Sequence, residues 1–384
     1  MQKTLLFWCP HIGNVGTAKA VLESAKSLSQ SKNYKCKILN AFGEFDEHRT
    51  FLKTNKIEEI KLIKNRLIKK LPTEGFFWSR LNYIIVFIFC FFPLLFYLVR
   101  NKNSYLFIYL LTSLPLLIIS LFNLNNKVIF RVSGKIRFSI FRKLILLFSK
   151  KKIQKVLIQT LESKNRILKN KIYDKKILSL IRDPIIDYNK INLLKKEKIE
   201  PKFSGKKFFV SIGRLTHQKN FLFLTRCLRK IIKREKKFIF LILGKGQDRE
   251  KIESYIKKNK LTKYIFLLGY KKNIFKYINN SVGLICTSLW EEPGFVIQEA
   301  AACKKIILAS NCDSGPSEFL EKGKYGFIFK SNNPKSFISS FSLMLKNKKK
   351  HKKMIKENHK KILNYTKESF LKKIINELNL IDSF

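Results

Sequence analysis

Short apolar runs alternate with segments of helical period along most of this chain. The first half places strands at 3–9, 34–40, 105–111, 127–132 and 155–159, with a helix near 17–30. The second half restarts the pattern, with strands at 208–213, 238–244, 264–269, 282–288 and 305–310 and helices near 220–233, 247–258 and 294–303. Strands buried on both faces read as unbroken apolar runs, and their alternation with helices predicts parallel sheets with crossover helices. The texture breaks at "IRDPIID" and the charged "KKEKIEPKFSGKK". The expected organisation is α/β: a doubly wound, Rossmann-like domain at 1–185, a linker at 186–206, and a second such domain at 207–355. Residues 346–361 read as a solvated, Lys-rich helix face. The closing segment 356–384 ends in an amphipathic helix, "FLKKIINELNLI", a candidate to cross back to the first domain.

The stretch 83–122 holds two apolar runs, interrupted by Pro93 and Pro115. Each is at or below the length of a spanning helix, so a hairpin of two spans is one reading. The other takes 105–111 as a buried strand, 112–115 as a turn, 116–122 as the start of a helix, and 83–99 as a helix either buried or dipped into a bilayer face. Upstream, 66–83 mixes Lys and Arg with Phe76, Phe77 and Trp78, the texture of an interfacial anchor or of core aromatics. Residues 66–100 are thus a candidate membrane-associating region.

Charge sharpens that reading. The chain has 78 Lys+Arg against 27 Asp+Glu, a formal charge of +51. Attraction to anionic lipid is one reason for such an excess. An AT-rich coding bias toward Lys, Ile, Asn, Phe and Leu is another. Nucleic acid is the weakest, because the basic residues form no single stripe. Seven scattered Cys without a CxxC pair point to reduced, buried thiols in a cytosolic protein, not to zinc. The N-terminus reads as a first strand, not as a signal peptide.

Ligands of open α/β sheets bind beyond the carboxyl ends of the strands. In the second half those positions are pointed. "GRLTHQKN" follows the strand at 208–212: Gly213 allows a tight exit, and Arg214 and Lys219 bring two cations beside a helix start near Asn220. "GKGQDRE" follows the next strand, where Gly244 and Gly246 either turn the chain or let its backbone approach a ligand. Tyr270, after 264–268, could meet a flat base. "LWEEPGFVIQEA" then joins a strand to a helix, leaving the amides of Gly294, Phe295 and Val296 at the helix start. Glu291 on the loop and Glu299 in the helix can flank one ligand, as carboxylates that accept from diols do; a helix-dipole role would explain Glu299 but not the pair.

These segments, with "FLLGYKKNI" and "SNCDSGPSEFL", resemble the C-terminal domain of retaining family-4 glycosyltransferases (glycosyl transferases group 1) over 208–330. The first half resembles the same family in "GNVGTAKAVLESAKSL", "LLTSLPL", "FRVSGKIRFSIFRK" and "LIRDPIID", motifs similar to those of bacterial enzymes of surface-polysaccharide and lipid-linked glycan synthesis. The resemblance implies the GT-B fold, two Rossmann-like doubly wound domains facing across a cleft. It also implies roles. Arg214 and Lys219 would hold the donor diphosphate, and Glu291 would contact the donor sugar. Glu299 would bind the ribose, and Gly13 and Gly16 would close over the diphosphate. Gly213, Gly244, Tyr270, Gly294, Phe295 and Val296 would complete the donor side. His11, Ser133 and Lys135 are candidates for the acceptor side. The glycine turn departs from the family's commoner Gly-Gly, being "GNVG" here.

The expected function is therefore retaining transfer of a sugar from a nucleotide diphosphate sugar, a UDP-sugar foremost, to a lipid-linked or growing polysaccharide acceptor in the cell envelope. The partners are the sugar nucleotide, that acceptor and an anionic membrane surface, with no nucleic acid, no metal and no cofactor. The expected location is the inner face of the cytoplasmic membrane. A GT-B-fold epimerase or phosphorylase, and a non-enzymatic basic module binding membrane or nucleic acid, are the alternatives.

Overall fold

A computed structural model describes residues 2–11, 16–63, 76–132, 140–312 and 314–383, and of 76–80 the backbone. The chain divides into two compact units, Met1–Ile185 with Lys367–Phe384, and Ile186–Thr366.

In the first unit, strands β1 (Lys3–Trp8), β2 (Tyr34–Asn40), β3 (Glu58–Lys61), β4 (Tyr105–Ile108), β5 (Lys127–Arg131), β6 (Ile153–Ile158) and β7 (Leu178–Leu180) form one sheet, ordered β3-β2-β1-β4-β5-β6-β7. Every pairing in it is parallel. The connecting helices are α1 (Gly16–Ser29), α2 (Arg49–Thr54), α3 (Phe76–Arg100), α4 (Ser113–Leu121), α5 (Ile140–Phe148) and α6 (Leu161–Lys169). From β1 the chain moves one way across the sheet through α1 and α2, and the other way through α3, α4 and α5. Right-handed crossovers then put these two sets on opposite faces. The core agrees: Cys90 and Leu94 of α3, Leu114 and Ile118 of α4 and Leu146 of α5 share one buried cluster with Leu6 and Trp8.

This placement decides between the readings of 83–122. The second apolar run is no span. Strand β4 ends at Ile108, short of the expected 111, and Leu111 takes a φ of +45°. Helix α4 begins at Ser113, not 116, with Pro115 in its first turn, where no intrahelical N–H bond is needed. Helix α3 is long and apolar enough to cross a membrane between Leu81 and Arg100. Its Val86, Cys90, Leu94 and Leu98, one turn apart, are buried on the sheet. Its two ends lead to β3 and β4 of that same sheet. The helix is therefore half core and half surface, a division that the uniformly apolar sequence concealed. Phe76, Phe77 and Trp78 lie among the residues whose side chains are outside the described ones.

In the second unit, α7 (Tyr188–Leu194) precedes strands β8 (Lys207–Ile212), β9 (Phe238–Leu243), β10 (Ile265–Gly269), β11 (Gly283–Cys286), β12 (Ile306–Ser310) and β13 (Phe327–Phe329). They form a parallel sheet ordered β10-β9-β8-β11-β12-β13. Helices α8 (Phe221–Arg234), α9 (Arg249–Lys258), α10 (Phe275–Asn280), α11 (Phe295–Ala302), α12 (Pro316–Phe319), α13 (Pro334–Lys346) and α14 (Lys348–Lys361) complete the unit. The segment 186–206, which reads as a linker from its charge, is ordered structure of this unit. Asp187 caps α7 by accepting from the Lys190 amide at 3.0 Å. Glu200 accepts from Lys271 at 2.8 Å and from the Tyr277 hydroxyl at 2.6 Å. The last helix, α15 (Lys367–Asp382), belongs to the first unit and packs on α1. In both sheets the strand order reverses direction beside the unit's first strand, at β1/β4 and β8/β11. That is where such sheets bind ligands.

Candidate functional site

At the carboxyl ends of β8 and β11, the second unit gathers the two best-marked motifs of the sequence. Gly213 follows β8, and a Cβ there would lie 3.0–3.2 Å from three carbons of the Lys219 side chain, so a glycine lets that side chain fold back over the strand end. Gly244 has a different reason to be small. A Cβ on it would meet the Gly213 carbonyl oxygen at 1.8 Å. The amides of both glycines donate within the sheet layer, Gly213 to Leu243 and Gly244 to Gly269, at 3.0 and 2.8 Å. Their part is to shape the floor.

The Lys219 ammonium pairs with Glu291 Oε1, and the Ser288 hydroxyl donates to the same oxygen at 2.6 Å. Glu291 is buried and Lys219 nearly so. Burial works to lower the Lys219 pKa. The Glu291 carboxylate, with Cys286 behind it, works against that, and the net shift is upward. Lys219 therefore stays charged inside the fold, which is the state a phosphate requires. Exposed Arg214 stands close enough to oppose that charge.

Hydroxyls fix the two loops that carry this pair. Thr287 donates to the Lys219 carbonyl at 2.9 Å, Ser310 to the Ser288 carbonyl at 2.6 Å, and Ser314 to the Glu291 carbonyl at 2.7 Å. The Gln218 side chain donates to the Trp290 carbonyl at 2.9 Å, and the Leu289 amide returns a bond to the Gln218 carbonyl at 2.8 Å. The apolar run predicts that strand β11 continues to Ser288. It stops at Cys286, and so Thr287 and Ser288 are released from the ladder to hold Lys219 and Glu291.

Gly294, at a φ of +83°, turns the chain into α11, whose first amides belong to Phe295 and Val296. Such amides have no carbonyl one turn earlier and bind anions readily. Glu299 is buried in the same helix. Thr216 Oγ1 and Asn220 Nδ2, flanking Lys219, are buried and make no hydrogen bond. Tyr270 is exposed after β10. The structure thus brings Arg214, Lys219, Glu291, Gly294, Phe295, Val296 and Glu299 to one strand-end region.

In the first unit, Gly16 opens α1. Gly13, Ser133 and Lys135 lie outside the described residues. His11 is buried at the end of β1, donates through Nδ1 to the Cys9 carbonyl at 3.2 Å and meets the Phe45 ring edge-on at 4.8 Å. Burial lowers its pKa, so the ring is neutral. Next to Phe45 in the chain is Glu44, which sequence reasoning missed because a lone Glu in a loop carries no pattern. Its carboxylate accepts from the amides of Ala41 and Phe42 at 3.0 and 2.9 Å, yet burial outweighs those bonds and pushes its pKa up from 4.5 to about 7. The folded protein thus holds a proton on Glu44 that the unfolded chain has released, so its contribution is complete below pH 4.5 and lost as pH rises through about 7. Urea denaturation between those pH values should show the wild type losing about 3 kcal/mol relative to Glu44→Gln. Parallel profiles for the two proteins would remove Glu44 as the cause. All seven cysteines are buried and reduced.

Comparison with known proteins accords with this geometry. Residues 194–361 match the family Glycosyl transferases group 1. An uncharacterized glycosyltransferase of Methanocaldococcus jannaschii is 29% identical over 192 residues, 46% of this chain and 47% of that protein. The N-acetylgalactosamine-N,N'-diacetylbacillosaminyl-diphospho-undecaprenol 4-alpha-N-acetylgalactosaminyltransferase of Campylobacter jejuni is 28% identical over 43% of this chain and 45% of its own length. The chain thus spans less than half the length of either relative. Among solved structures, Anabaena HepE in complex with UDP and glucose superposes with a TM-score of 0.73 over 99% of this chain and all of that one, at 16% identity, a likeness of fold. The chain is thus built on two Rossmann-like parallel α/β units with GT-B neighbours, and its second unit contains the segment, 194–361, that matches Glycosyl transferases group 1.

Proposed function

We propose that this protein transfers a sugar, with retention of configuration, from a nucleotide diphosphate sugar to a lipid-linked or growing polysaccharide acceptor in envelope glycan synthesis. The observation that carries the reading is the buried Lys219–Glu291 pair at the β8/β11 switch point, with the start of α11 and Glu299 beside it. The donor diphosphate lies against Lys219, Arg214 and the first amides of α11, which stabilise the charge that grows on it as the sugar leaves. Thr216 and Asn220 offer two more buried polar groups to the same phosphates. Glu291 keeps Lys219 in place through Oε1, and Oε2 accepts from a hydroxyl of the donor sugar. Glu299 accepts from the ribose diol. The acceptor attacks on the face from which the diphosphate departs, so no protein nucleophile is needed.

A uridine donor is favoured because the Anabaena neighbour was solved with UDP and glucose. A lipid-linked acceptor is favoured because the Campylobacter relative is named for one. The first unit is assigned the acceptor, with His11 on that side. The reaction is proposed to need no metal and no cofactor, and the protein to work at the inner face of the cytoplasmic membrane without binding nucleic acid. A thermal-shift panel of UDP, GDP, UDP-sugars and an RNA control tests the donor side. A rise in Tm with UDP and at least one UDP-sugar, unchanged by EDTA, is expected. A shift with RNA alone contradicts the reading.

A further inference from the structure

Helix α3 presents Ile84, Ile88, Phe89, Phe92 and Phe96 outward. Phe92 and Phe96 are 61% and 60% exposed, and their rings stack on each other. Helix α5 presents Ile140, Phe141, Leu144 and Phe148, with Ile140 and Phe141 at 83% and 71%. Between them α4 ends in exposed Leu121 and Phe122, and the Phe122 ring meets Phe91 of α3 at 6.3 Å. Crossover handedness puts all three helices on one face of the first sheet, α4 packing on both neighbours. Large aromatic and aliphatic side chains thus cover the outside of these three helices, far more than a soluble surface ordinarily exposes.

Charge identifies what covers it. From Gly75 to Leu161 the sequence holds thirteen Lys and Arg and not one Asp or Glu. Arg100 ends α3 and Lys102 follows it, Arg142 and Lys143 lie on α5, and Lys150, Lys151 and Lys152 follow that helix. Asp174 pairs with Lys150 at 3.2 Å, but the three helices and their connections themselves carry only cations, which disfavours a second copy of the same face and fits anionic headgroups over acyl chains. We propose that the outer face of α3, α4 and α5 is a docking surface for an anionic lipid bilayer, with the helices lying on the membrane and their aromatic side chains dipped into it. The inference deepens the membrane placement within the proposed function, and it moves the anchor from 66–100 to a three-helix face that includes 140–148. Crossing is excluded for α3, because Val86, Cys90, Leu94 and Leu98 would have to leave the core.

Flotation of the full chain with phosphatidylcholine vesicles, and with vesicles also containing phosphatidylglycerol, tests this. Binding is expected to favour the anionic vesicles at least tenfold and to weaken with salt. The exposed substitutions Phe92→Glu with Phe96→Glu, and separately Phe141→Glu with Leu144→Glu, should each reduce it at least tenfold, with Tm and the UDP-induced thermal shift unchanged. Equal flotation of the variants and the wild type would overturn the proposal. So would a wild type that dimerises by light scattering and ignores vesicles. The thermal shift reads the donor site alone, so failure of the surface and failure of the enzymatic reading are distinguished.

Discussion

Lys219→Ala is expected to lower sugar transfer by at least about 10²–10³-fold, the usual cost of removing one group aimed at developing charge. The same change leaves Glu291 buried without its cation, which costs about 3–5 kcal/mol of stability. A loss of activity in the single variant would therefore be ambiguous. The double variant Lys219→Met with Glu291→Gln resolves it. Removing both charges relieves the unpaired carboxylate, so the urea midpoint should return close to that of the wild type. Turnover should remain down by the same factor or more, because the diphosphate has lost its cation. If turnover recovers with stability, Lys219 serves the fold only.

The second large effect lies in the first unit. Arg131, at the end of β5, forms an ion pair with Asp183, and each side chain is 2% exposed. The guanidinium also sits 5.4 Å from the centre of the Tyr109 ring. Gln159 fixes the loop around Asp183, donating to the Ile181 carbonyl at 2.6 Å and accepting from the Asp183 amide at 3.0 Å. Three strand ends are thereby joined through one buried pair. Asp183→Ala strands the guanidinium in the core and should cost about 3–5 kcal/mol. For a unit of this size that lowers Tm by roughly 6–20 °C. Replacing both partners, as Arg131→Met with Asp183→Leu, should recover most of the loss. Calorimetry on the three variants checks this, and an additive double variant would mean that the two side chains act separately.

Motifs that combine a special backbone shape with a charge were legible in the sequence. Gly213, Gly244 and Gly294 marked strand exits, and Arg214, Lys219, Glu291 and Glu299 stood next to them. Strands buried on both faces were visible because a short unbroken apolar run between polar segments suits few places in a fold other than the middle of a covered sheet. Side chains whose work depends on where a ladder stops were not legible. Thr287 and Ser288 read as the end of a strand, and only the structure shows them bonded to Lys219 and Glu291. The face of an all-apolar helix was also hidden, since periodicity vanishes when both sides are hydrophobic. Cys90 and Phe92 look alike in the sequence, yet one is buried on the sheet and the other points away from it. In 186–206 the high charge has the texture of a linker, although Asp187 and Glu200 use that charge to cap and pin structure.

The central claim is tested most directly by nucleotide release from a panel of sugar nucleotides, with a lipid-phosphate extract as acceptor. UDP should be released from at least one UDP-sugar only when the extract is present, and the glycosidic bond formed should keep the donor's anomeric configuration by NMR. If the folded protein transfers sugar from no donor in the panel, the account is contradicted.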